Sequence, residues 1–212
     1  MCFQFYEGKG YSRDFTDHMG RIIKEMEADP SQIVRLMVTT DMVCASCPNK
    51  EGKSCTTQDK VVAYDEAVLK ACEILEGSEL PYKEFIATVK EKIICAGLRS
   101  EICGDCSWDY ICREKEAAQL REAIARITEM EEALDRVLAA LDDAELSDVA
   151  ASAGSSAELE ADVRRLAEYY DGPDWKEDFV LDEAGILPKD LKRGVLSEDG
   201  IYDALEKYKE IF

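Results

Sequence analysis

Two groups of three cysteines dominate the chemistry that this sequence could perform. Each group opens with a pair separated by two residues and adds a third cysteine after a short gap: Cys44, Cys47 and Cys55, then Cys103, Cys106 and Cys112. A gap of two residues lets both thiolates of a tight turn face one metal, which is why this spacing recurs in zinc and iron–sulphur sites. Two such pairs, each followed by a third cysteine, predict metal binding.

The identity of the metal stays open on spacing alone. Six loop cysteines exceed the four that one tetrahedral zinc ion takes. They could form one four-cysteine site with two cysteines to spare, or two sites, and thiolate suits both zinc and iron–sulphur clusters. The two loops lie too far apart in the chain for a local turn to join them. The helices between them must therefore bring the loops together.

The three remaining cysteines differ from the loop cysteines. Cys72 and Cys95 fall on apolar helical stretches, where a thiol packs well as a small apolar group, so we predict core positions for both. Cys2 stands alone near the start of the sequence, so its spacing does not indicate whether it binds metal. The count of nine is odd, and the cytosol keeps thiols reduced, so metal or redox chemistry is favoured over a disulphide framework.

Helical patterns surround the cysteine loops in the first half. Residues 14–28 predict an amphipathic helix that Pro30 ends, and Ile33–Val38 is a short apolar run that could form a strand. Asp65–Leu75 predicts a second helix, and Pro81 suits the start of a third. The cysteine groups lie between these elements, in segments that read as loops.

The second half contains no cysteine and predicts a helical hairpin. Apolar residues recur with heptad spacing, interrupted by Glu131: Leu120, Ile124, Ile127, Leu134, Leu138 and Leu141. The small, polar stretch 147–158 reads as a link to a second helix, which Gly172 and Pro173 end. Ser197 suits the cap of a short C-terminal helix. Lys192 with Arg193 predicts a turn before that helix rather than an anion site.

Charge and hydropathy exclude several classes of function. The net charge is −20, divided as −5 over residues 1–113 and −15 over residues 114–212. Phosphate and anionic-membrane partners need clustered basic residues, so neither nucleic acid nor a membrane surface is expected. No apolar run approaches the ~18 residues of a membrane span, and the first residues do not read as a secretory signal. We therefore expect a cytoplasmic protein whose acidic half binds a protein partner.

Several single residues near the cysteines have predicted supporting roles. Trp108, two residues past the second cysteine pair, is expected to contact the cofactor and shield it from water. Asp41, Asp105 and Asp109 flank the cysteines and are expected to cap loop amides. His18 is the only histidine, and we interpret it as a structural residue rather than a ligand.

The first half resembles a known family. The strings FYEGKGYSRDF, DMVCASCPN, YDEAVL and EICGDCSWDYIC, in this order, resemble domain of unknown function 1284, whose members are cysteine-rich prokaryotic proteins commonly described as iron–sulphur-binding. The resemblance spans about residues 1–113 and favours iron–sulphur over zinc. It implies these ligand candidates: Cys2, Cys44, Cys47, Cys55, Cys103, Cys106 and Cys112. Members usually open with a His-His pair just before the cysteine that Cys2 matches, and this sequence begins inside that motif.

The second half resembles another family, domain of unknown function 4298. The strings that carry this resemblance are ARITEMEEALD, LAEYYDGPDWKEDF and LPKDLKRGVLSEDGIYDAL, over about residues 124–208. The family is helical and has no assigned chemistry. The resemblance therefore implies a fold for this half and no reaction.

Together these patterns predict a mainly α fold in two parts. Residues 1–113 are expected to form a cysteine-rich helical metal-binding module, and residues 114–212 an acidic helical hairpin domain. The favoured cofactor is a 4Fe-4S cluster for electron transfer or redox sensing. The alternative is a structural zinc module joined to a helical protein-interaction domain. An enzyme using the cluster as Lewis acid or redox centre stays open, because sequence cannot reveal an open coordination position.

Overall fold

The computed structural model describes residues 1–146 and 156–212. The chain separates into two compact units, Met1–Lys115 and Glu116–Phe212. Helices are the main elements of both units, and the strands are two or three residues long, so the predicted mainly α fold is confirmed. Most of the link predicted at 147–158 lies outside the described residues.

The first unit consists of short helices connected by turns and two small antiparallel strand pairs. Its helices are α1 (Arg13–Ala28), α2 (Gln58–Ala71), α3 (Tyr82–Val89), a π-helical segment (Lys90–Cys95) and α4 (Arg99–Cys103). Its strands are β1 (Ile33–Arg35), β2 (Lys50–Glu51), β3 (Ser54–Cys55) and β4 (Glu79–Pro81). Two 3-10 turns complete it, Cys2–Phe5 and Val43–Ser46.

Helix α1 follows directly from its sequence. The Ser12 side chain caps it by accepting the Phe15 N–H at 3.1 Å. The apolar residues at helical spacing are all buried: Phe15, Met19, Ile22, Ile23 and Met26. The helix ends at Ala28, two residues before Pro30. The prediction for residues 14–28 is therefore confirmed to within one residue.

The strands and α2 differ from the sequence-based expectation in extent. β1 pairs with β4, but only the first three residues of the run Ile33–Val38 are strand. β2 and β3 form a tight hairpin around Gly52, whose φ of 62° suits glycine. Helix α2 begins at Gln58, seven residues before the predicted start. Only its first three residues, Gln58–Lys60, are polar, and Val61 and Val62 follow them within the unpredicted part of the helix.

The core of the first unit is divided into small clusters. One contains Val68, Cys72, Val89 and Ile93, and another contains Phe15, Met19 and Ile23. Cys72 and Cys95 are both buried, at 3% and 6% exposure, which confirms their predicted core positions. The unit thus lacks one large core and relies on contacts between loops and helices.

The second unit is built on the long helix α5. This helix runs over Asp109–Leu146, so its first turns belong to the first unit. It is followed by α6 (Ala157–Asp171), α7 (Pro173–Glu183), a 3-10 turn (Gly194–Leu196) and α8 (Glu198–Ile211). Gly172 and Pro173 separate α6 from α7, as predicted.

The predicted helical hairpin consists of α5 and α6. Two ion pairs join these helices, Arg165–Glu129 and Arg136–Asp162. Position 129 on α5 pairs with 165 on α6 and position 136 pairs with 162, so the two helices are antiparallel. Residues from α7, the 3-10 turn and α8 enter the same apolar core. The C-terminal helices therefore complete the core of the hairpin, rather than forming a separate part.

Candidate metal centre

The first cysteine pair lies in a 3-10 turn. The Cys47 N–H donates to the Cys44 carbonyl at 3.1 Å, which closes the turn between the two cysteines. Asp41 Oδ1 accepts the N–H of Val43 at 2.9 Å and that of Cys44 at 3.3 Å. Asp41 therefore caps loop amides as predicted. Cys55 follows in β3, opposite Lys50 in the hairpin.

His18 attaches this loop to α1. Its Nδ1 lies 3.0 Å from Arg21 Nη2, which can only donate, so its Nε2 carries the proton and donates to the Met42 carbonyl at 2.7 Å. His18 is half-buried. The structural role predicted for it is confirmed, and that role is to hold the start of the first cysteine loop.

The second cysteine pair forms a turn with the same backbone hydrogen bond. The Cys106 N–H donates to the Cys103 carbonyl at 3.0 Å, directly after α4 ends at Cys103. Gly104 is required here, because an added Cβ would lie 2.3 Å from the Ser100 carbonyl oxygen. Cys112 lies in the first turn of α5 and is half-buried. Both pairs thus have the tight turn that thiolate coordination needs.

A buried ion pair supports the second loop. Arg99 is 1% exposed, and its Nη1 donates to Asp109 Oδ1 at 2.7 Å. Arg113 Nε lies 2.8 Å from the other oxygen of Asp109. The Cys103 thiol donates to the Arg99 carbonyl at 3.4 Å. Asp109 therefore binds two guanidinium groups that its sequence position did not predict, and Arg99 places positive charge beside Cys103.

Helix α2 is attached to the same loop through Asp105. Lys60 Nζ lies 2.7 Å from Asp105 Oδ2 and donates to the Asp105 carbonyl at 2.9 Å, and the Tyr64 hydroxyl donates to Asp105 Oδ1. The hydrogen bond from Lys60 is the main cause that lowers the pKa of Asp105. These contacts explain why α2 begins earlier than its apolar pattern does.

Three aromatic residues, Tyr11, Phe15 and Trp108, connect the two cysteine loops, and we call them the aromatic bridge. The Tyr11 ring lies 5.4 Å from the Phe15 ring and 5.8 Å from the Trp108 ring, edge-on to the latter. Cys47 packs against the cluster that contains Phe15. The Trp108 N–H donates to Cys106 Sγ at 3.4 Å. The aromatic bridge thus runs from the Phe15 cluster, against which Cys47 packs, to Trp108, whose backbone N–H binds Cys106.

Electrostatics connect further cysteines to this region. Burial raises the pKa of Tyr11, and the thiolates of Cys106, Cys47 and Cys2 raise it further. Burial, followed by the charge of Cys2, raises the pKa of Cys103 to about 11, although Arg99 opposes the shift. Cys2, which spacing could not judge, therefore lies within electrostatic reach of Cys103 and Tyr11.

The pKa shifts of the Cys44 and Cys55 thiols have different causes. Burial is the main cause that raises the pKa of Cys44, and Cys47 contributes to the same shift. The Thr57 N–H and hydroxyl lower the pKa of Cys55, which lies 3.6 Å from Thr57 Oγ1. Cys44 thus belongs with Cys47, whereas Cys55 contacts Thr57, at the N-terminal cap position of α2.

Thiolates are the donors that zinc and iron–sulphur clusters take, and metal binding by these cysteines stays a prediction. Cys2, Cys44, Cys47, Cys103 and Cys106 are soft donors, and they are connected by turns, charge interactions and the aromatic bridge. Among the described residues, no three histidine, cysteine, aspartate or glutamate side chains are grouped as ligands of a single ion. A 4Fe-4S cluster takes four thiolates, a number that this set can supply.

Sequence reasoning missed Tyr11 and Arg99 as residues of this region. Tyr11 lies in one of the strings that carry the family resemblance, but no spacing rule connects it with the cysteines. Arg99 lies one helical turn before Cys103, a cation at i and a thiol at i+4, which is the one local signal that could have identified it. The role predicted for Trp108 as a cover for the cofactor stays a prediction.

The basic pair of the second unit is neutralised by carboxylates. Arg193 Nη1 donates to Asp182 Oδ1 at 2.5 Å, and the Lys192 ammonium pairs with Asp135. The next three residues form the 3-10 turn before α8. The predicted turn is therefore confirmed, and both cations have acidic partners within the unit.

Comparisons with known proteins divide the chain in the same way. Residues 10–112 match the family model described as "Protein of unknown function (DUF1284)", and residues 127–212 match "Domain of unknown function (DUF4298)". Both resemblances drawn from the sequence are confirmed. No curated protein and no solved structure matches the chain significantly. Within the described ranges 1–146 and 156–212, every helix is too short or too polar to cross a membrane.

Proposed function

We propose that this chain, which joins a domain of the DUF1284 family to a domain of the DUF4298 family, holds one 4Fe-4S cluster between the two cysteine loops of its first unit. The observation that carries the proposal is the aromatic bridge. Trp108 donates a backbone hydrogen bond to Cys106, and Cys47 packs against the cluster of Phe15. Tyr11 contacts both rings, and these contacts support our proposal that the two loops meet at one site.

The proposed ligands are the two close pairs, Cys44 with Cys47 and Cys103 with Cys106. Cys2 is the further candidate that electrostatics support, since it acts on both Cys103 and Tyr11. The thiolates and the cluster bring negative charge into a partly buried region, and the buried guanidinium of Arg99 offsets part of that charge. Cys55 and Cys112 are reserve ligands or support for the site.

Electron transfer or redox sensing is the proposed use of this site. A bound 4Fe-4S cluster supplies a one-electron redox couple whose potential depends on charge, hydrogen bonds to sulphur and exposure. The protein controls these quantities through the Trp108 N–H on Cys106, the Arg99 charge and the aromatic side chains around the thiols. We place the protein in the cytoplasm, because reduced thiols are required to receive the cofactor.

We also propose that the acidic second unit binds a protein partner and not nucleic acid. Its support is charge: residues 114–212 carry 27 acidic and 12 basic residues. Several of the basic residues are already paired with carboxylates of the same unit. A mobility-shift experiment with duplex DNA at physiological salt should detect no complex, and a shifted band would contradict the proposal.

Metal analysis of the anaerobically purified full-length protein tests the cluster. We expect a brown protein that bleaches on oxidation and contains about four iron and four acid-labile sulphide per chain. Cys44→Ser and Cys103→Ser should each lose the whole cluster. Cys72→Ser is the matched control, because this thiol is buried in an apolar cluster, and it should keep its iron.

Two other outcomes would decide against parts of the proposal. A colourless protein with stoichiometric zinc and no sulphide would replace the cluster by a structural zinc site. If Cys44→Ser and Cys103→Ser each removed a different metal ion independently, the single shared site would be wrong.

A further inference from the structure

A cleft lies on the surface of the second unit, between α5 and the segment 188–192, and its volume is about 370 Å³. The apolar part of its lining comes from Ile124, Pro188 and Leu191. Ile124 and Leu191 also pack against the core of the unit. The same packing that folds the second unit therefore holds the apolar part of the cleft in place.

Four carboxylates line the same cleft, together with a single ammonium group. The carboxylates belong to Glu131, Glu132, Asp135 and Asp190, and the ammonium group is that of Lys192. Lys192 Nζ pairs with Asp135 Oδ1 and lies 3.4 Å from Glu131 Oε2. Four negative groups and one positive group leave the lining with a net charge of −3. The cleft therefore attracts cations, and one lysine of the chain already reaches its carboxylates.

Glu131 is the buried carboxylate of the cleft, at 4% exposure. Its Oε1 accepts the Val195 N–H at 2.6 Å, whereas its Oε2 accepts no hydrogen bond from the described residues. The Lys192 ammonium forms its hydrogen bond with Asp135 instead. A buried carboxylate oxygen without a donor is unfavourable, so a further positive charge in the cleft would stabilise Glu131 electrostatically.

We propose that this cleft receives a lysine or arginine side chain of the protein partner that the second unit binds. The inference rests on the proposed function and names the chemistry of the partner's surface. Long basic side chains lay their aliphatic stem along apolar surface and keep their charged end among polar groups. The cleft offers an apolar lining beside carboxylates, and its charge would steer a basic surface towards it.

Fluorescence anisotropy with the full-length protein at physiological salt tests the cleft. The probe is a labelled short peptide in which lysine and arginine alternate with glycine, and the reference peptide has norleucine at every basic position. The wild type should bind the basic peptide at least about tenfold more tightly than the norleucine peptide. Glu132→Gln combined with Asp190→Asn should weaken binding of the basic peptide about tenfold. Both side chains are exposed, so this variant should fold as the wild type does.

Glu160→Gln combined with Glu168→Gln is the matched control, because it removes the same charge from exposed positions on α6. It should bind the basic peptide as the wild type does. Equal weakening in both double variants would mean that net charge and not the cleft binds the peptide, which would overturn the inference. Unchanged binding by the cleft variant, or a wild type that does not distinguish the two peptides, would also overturn it and leave the proposed function intact. A complex with labelled duplex DNA in the same experiment would contradict the proposed function itself.

Discussion

The two units of this protein reach a folded state by different means. The second unit has one continuous core with thirteen buried residues, whereas the main clusters of the first unit have four and three. A small core contributes little hydrophobic stabilisation, and small domains commonly compensate with metal or disulphide cross-links. The first unit contains all nine cysteines, and the metal binding that we propose for it would supply such a cross-link.

Two buried carboxylates of the second unit are paired within it. In the second unit, Asp178 is fully buried and accepts three hydrogen bonds, from Arg126 Nε at 2.9 Å, Arg126 Nη2 at 2.5 Å and the Tyr169 hydroxyl at 2.9 Å. Asp162 pairs similarly with Arg136, and that hydrogen bond lowers the pKa of Asp162. Asp178 and Asp162 thus have their charges satisfied within the second unit, without an external ligand.

The largest expected effect is the response of the two units to metal removal. Hydrogen exchange of the full-length protein, with and without a chelator, measures both units in one sample. In the first unit we expect protection to fall at least about 100-fold, because the metal ligands also cross-link its loops. Protection of the second unit should be unchanged. Equal losses in both units would contradict the division, and Cys72→Ser should respond as the wild type does.

The next largest effect concerns the buried pair of the second unit. Arg126→Ala leaves the Asp178 carboxylate buried without its cation, which should cost about 3–5 kcal/mol of unfolding free energy at neutral pH. Burial already raises the pKa of Asp178, so the loss should shrink as the pH falls and the carboxylate is protonated. Denaturant unfolding of the full-length variant at two pH values measures both quantities.

Lys209→Ala is the control for Arg126→Ala. Lys209 pairs with Glu206 on the surface of α8 at 2.7 Å, and exposed pairs of this kind contribute little to stability. A loss as large as that of Arg126→Ala would mean that burial does not decide the strength of these pairs.

The third prediction tests whether the heptad pattern or the observed packing explains the role of Glu131. By sequence, Glu131 interrupts an apolar seam, and leucine would complete it. In the structure Glu131 is 4% exposed, and its Oε1 accepts the N–H of the fully buried Val195 at 2.6 Å. Glu131→Leu should therefore destabilise the second unit by about 1–3 kcal/mol, because it leaves that amide without an acceptor. A stabilised Glu131→Leu would restore the coiled-coil interpretation, and the exposed Glu132→Leu is the control.

The sequence predicted features that depend on local pattern. The cap and apolar stripe of α1, the break at Gly172 and Pro173, and the core positions of Cys72 and Cys95 all follow from neighbouring residues. Even so, the heptad pattern includes Leu138, which is 40% exposed. Periodicity identifies a helix and its apolar face, but it does not specify which apolar side chains the neighbouring elements cover.

Contacts between distant residues could not be predicted from one sequence. Glu131 is 64 residues from Val195, and Lys60 is 45 residues from Asp105. No regular sequence spacing predicts either contact, because tertiary packing alone brings the residues together. The same holds for Tyr11, which reaches the cysteine loops through ring contacts. The cysteines of the candidate site could thus be identified from the sequence, whereas the residues that contact them through tertiary packing could not.

The smallest expected effect is a pH dependence of opposite sign in the two units. Burial, followed by the charge of Asp41, raises the pKa of Asp65 on α2 from 3.8 to about 6. The folded state then binds a proton more tightly than the unfolded state, so stability of the first unit falls as the pH rises from about 4 to about 6. In the second unit Asp162 has a lowered pKa, so its contribution is present above pH ~4 and is lost as the pH falls.

Asp65→Asn removes the proton binding and nearly preserves the shape of the side chain. At pH 7 this variant should be more stable than the wild type in the first unit, by about 1–2 kcal/mol after allowance for solvent screening. The advantage should shrink as the pH falls and vanish below about pH 3, where Asp65 is protonated in both states. Hydrogen exchange of the metal-loaded proteins between pH 5 and 7.5 measures the difference, and the pH dependence of the thiol ligands cancels between variant and wild type. Glu66→Gln, at an exposed position on the same helix, should show no such slope. Parallel profiles for Asp65→Asn and the wild type would mean that the Asp65 carboxylate is ionised at no cost, and that buried charge does not distinguish the two units.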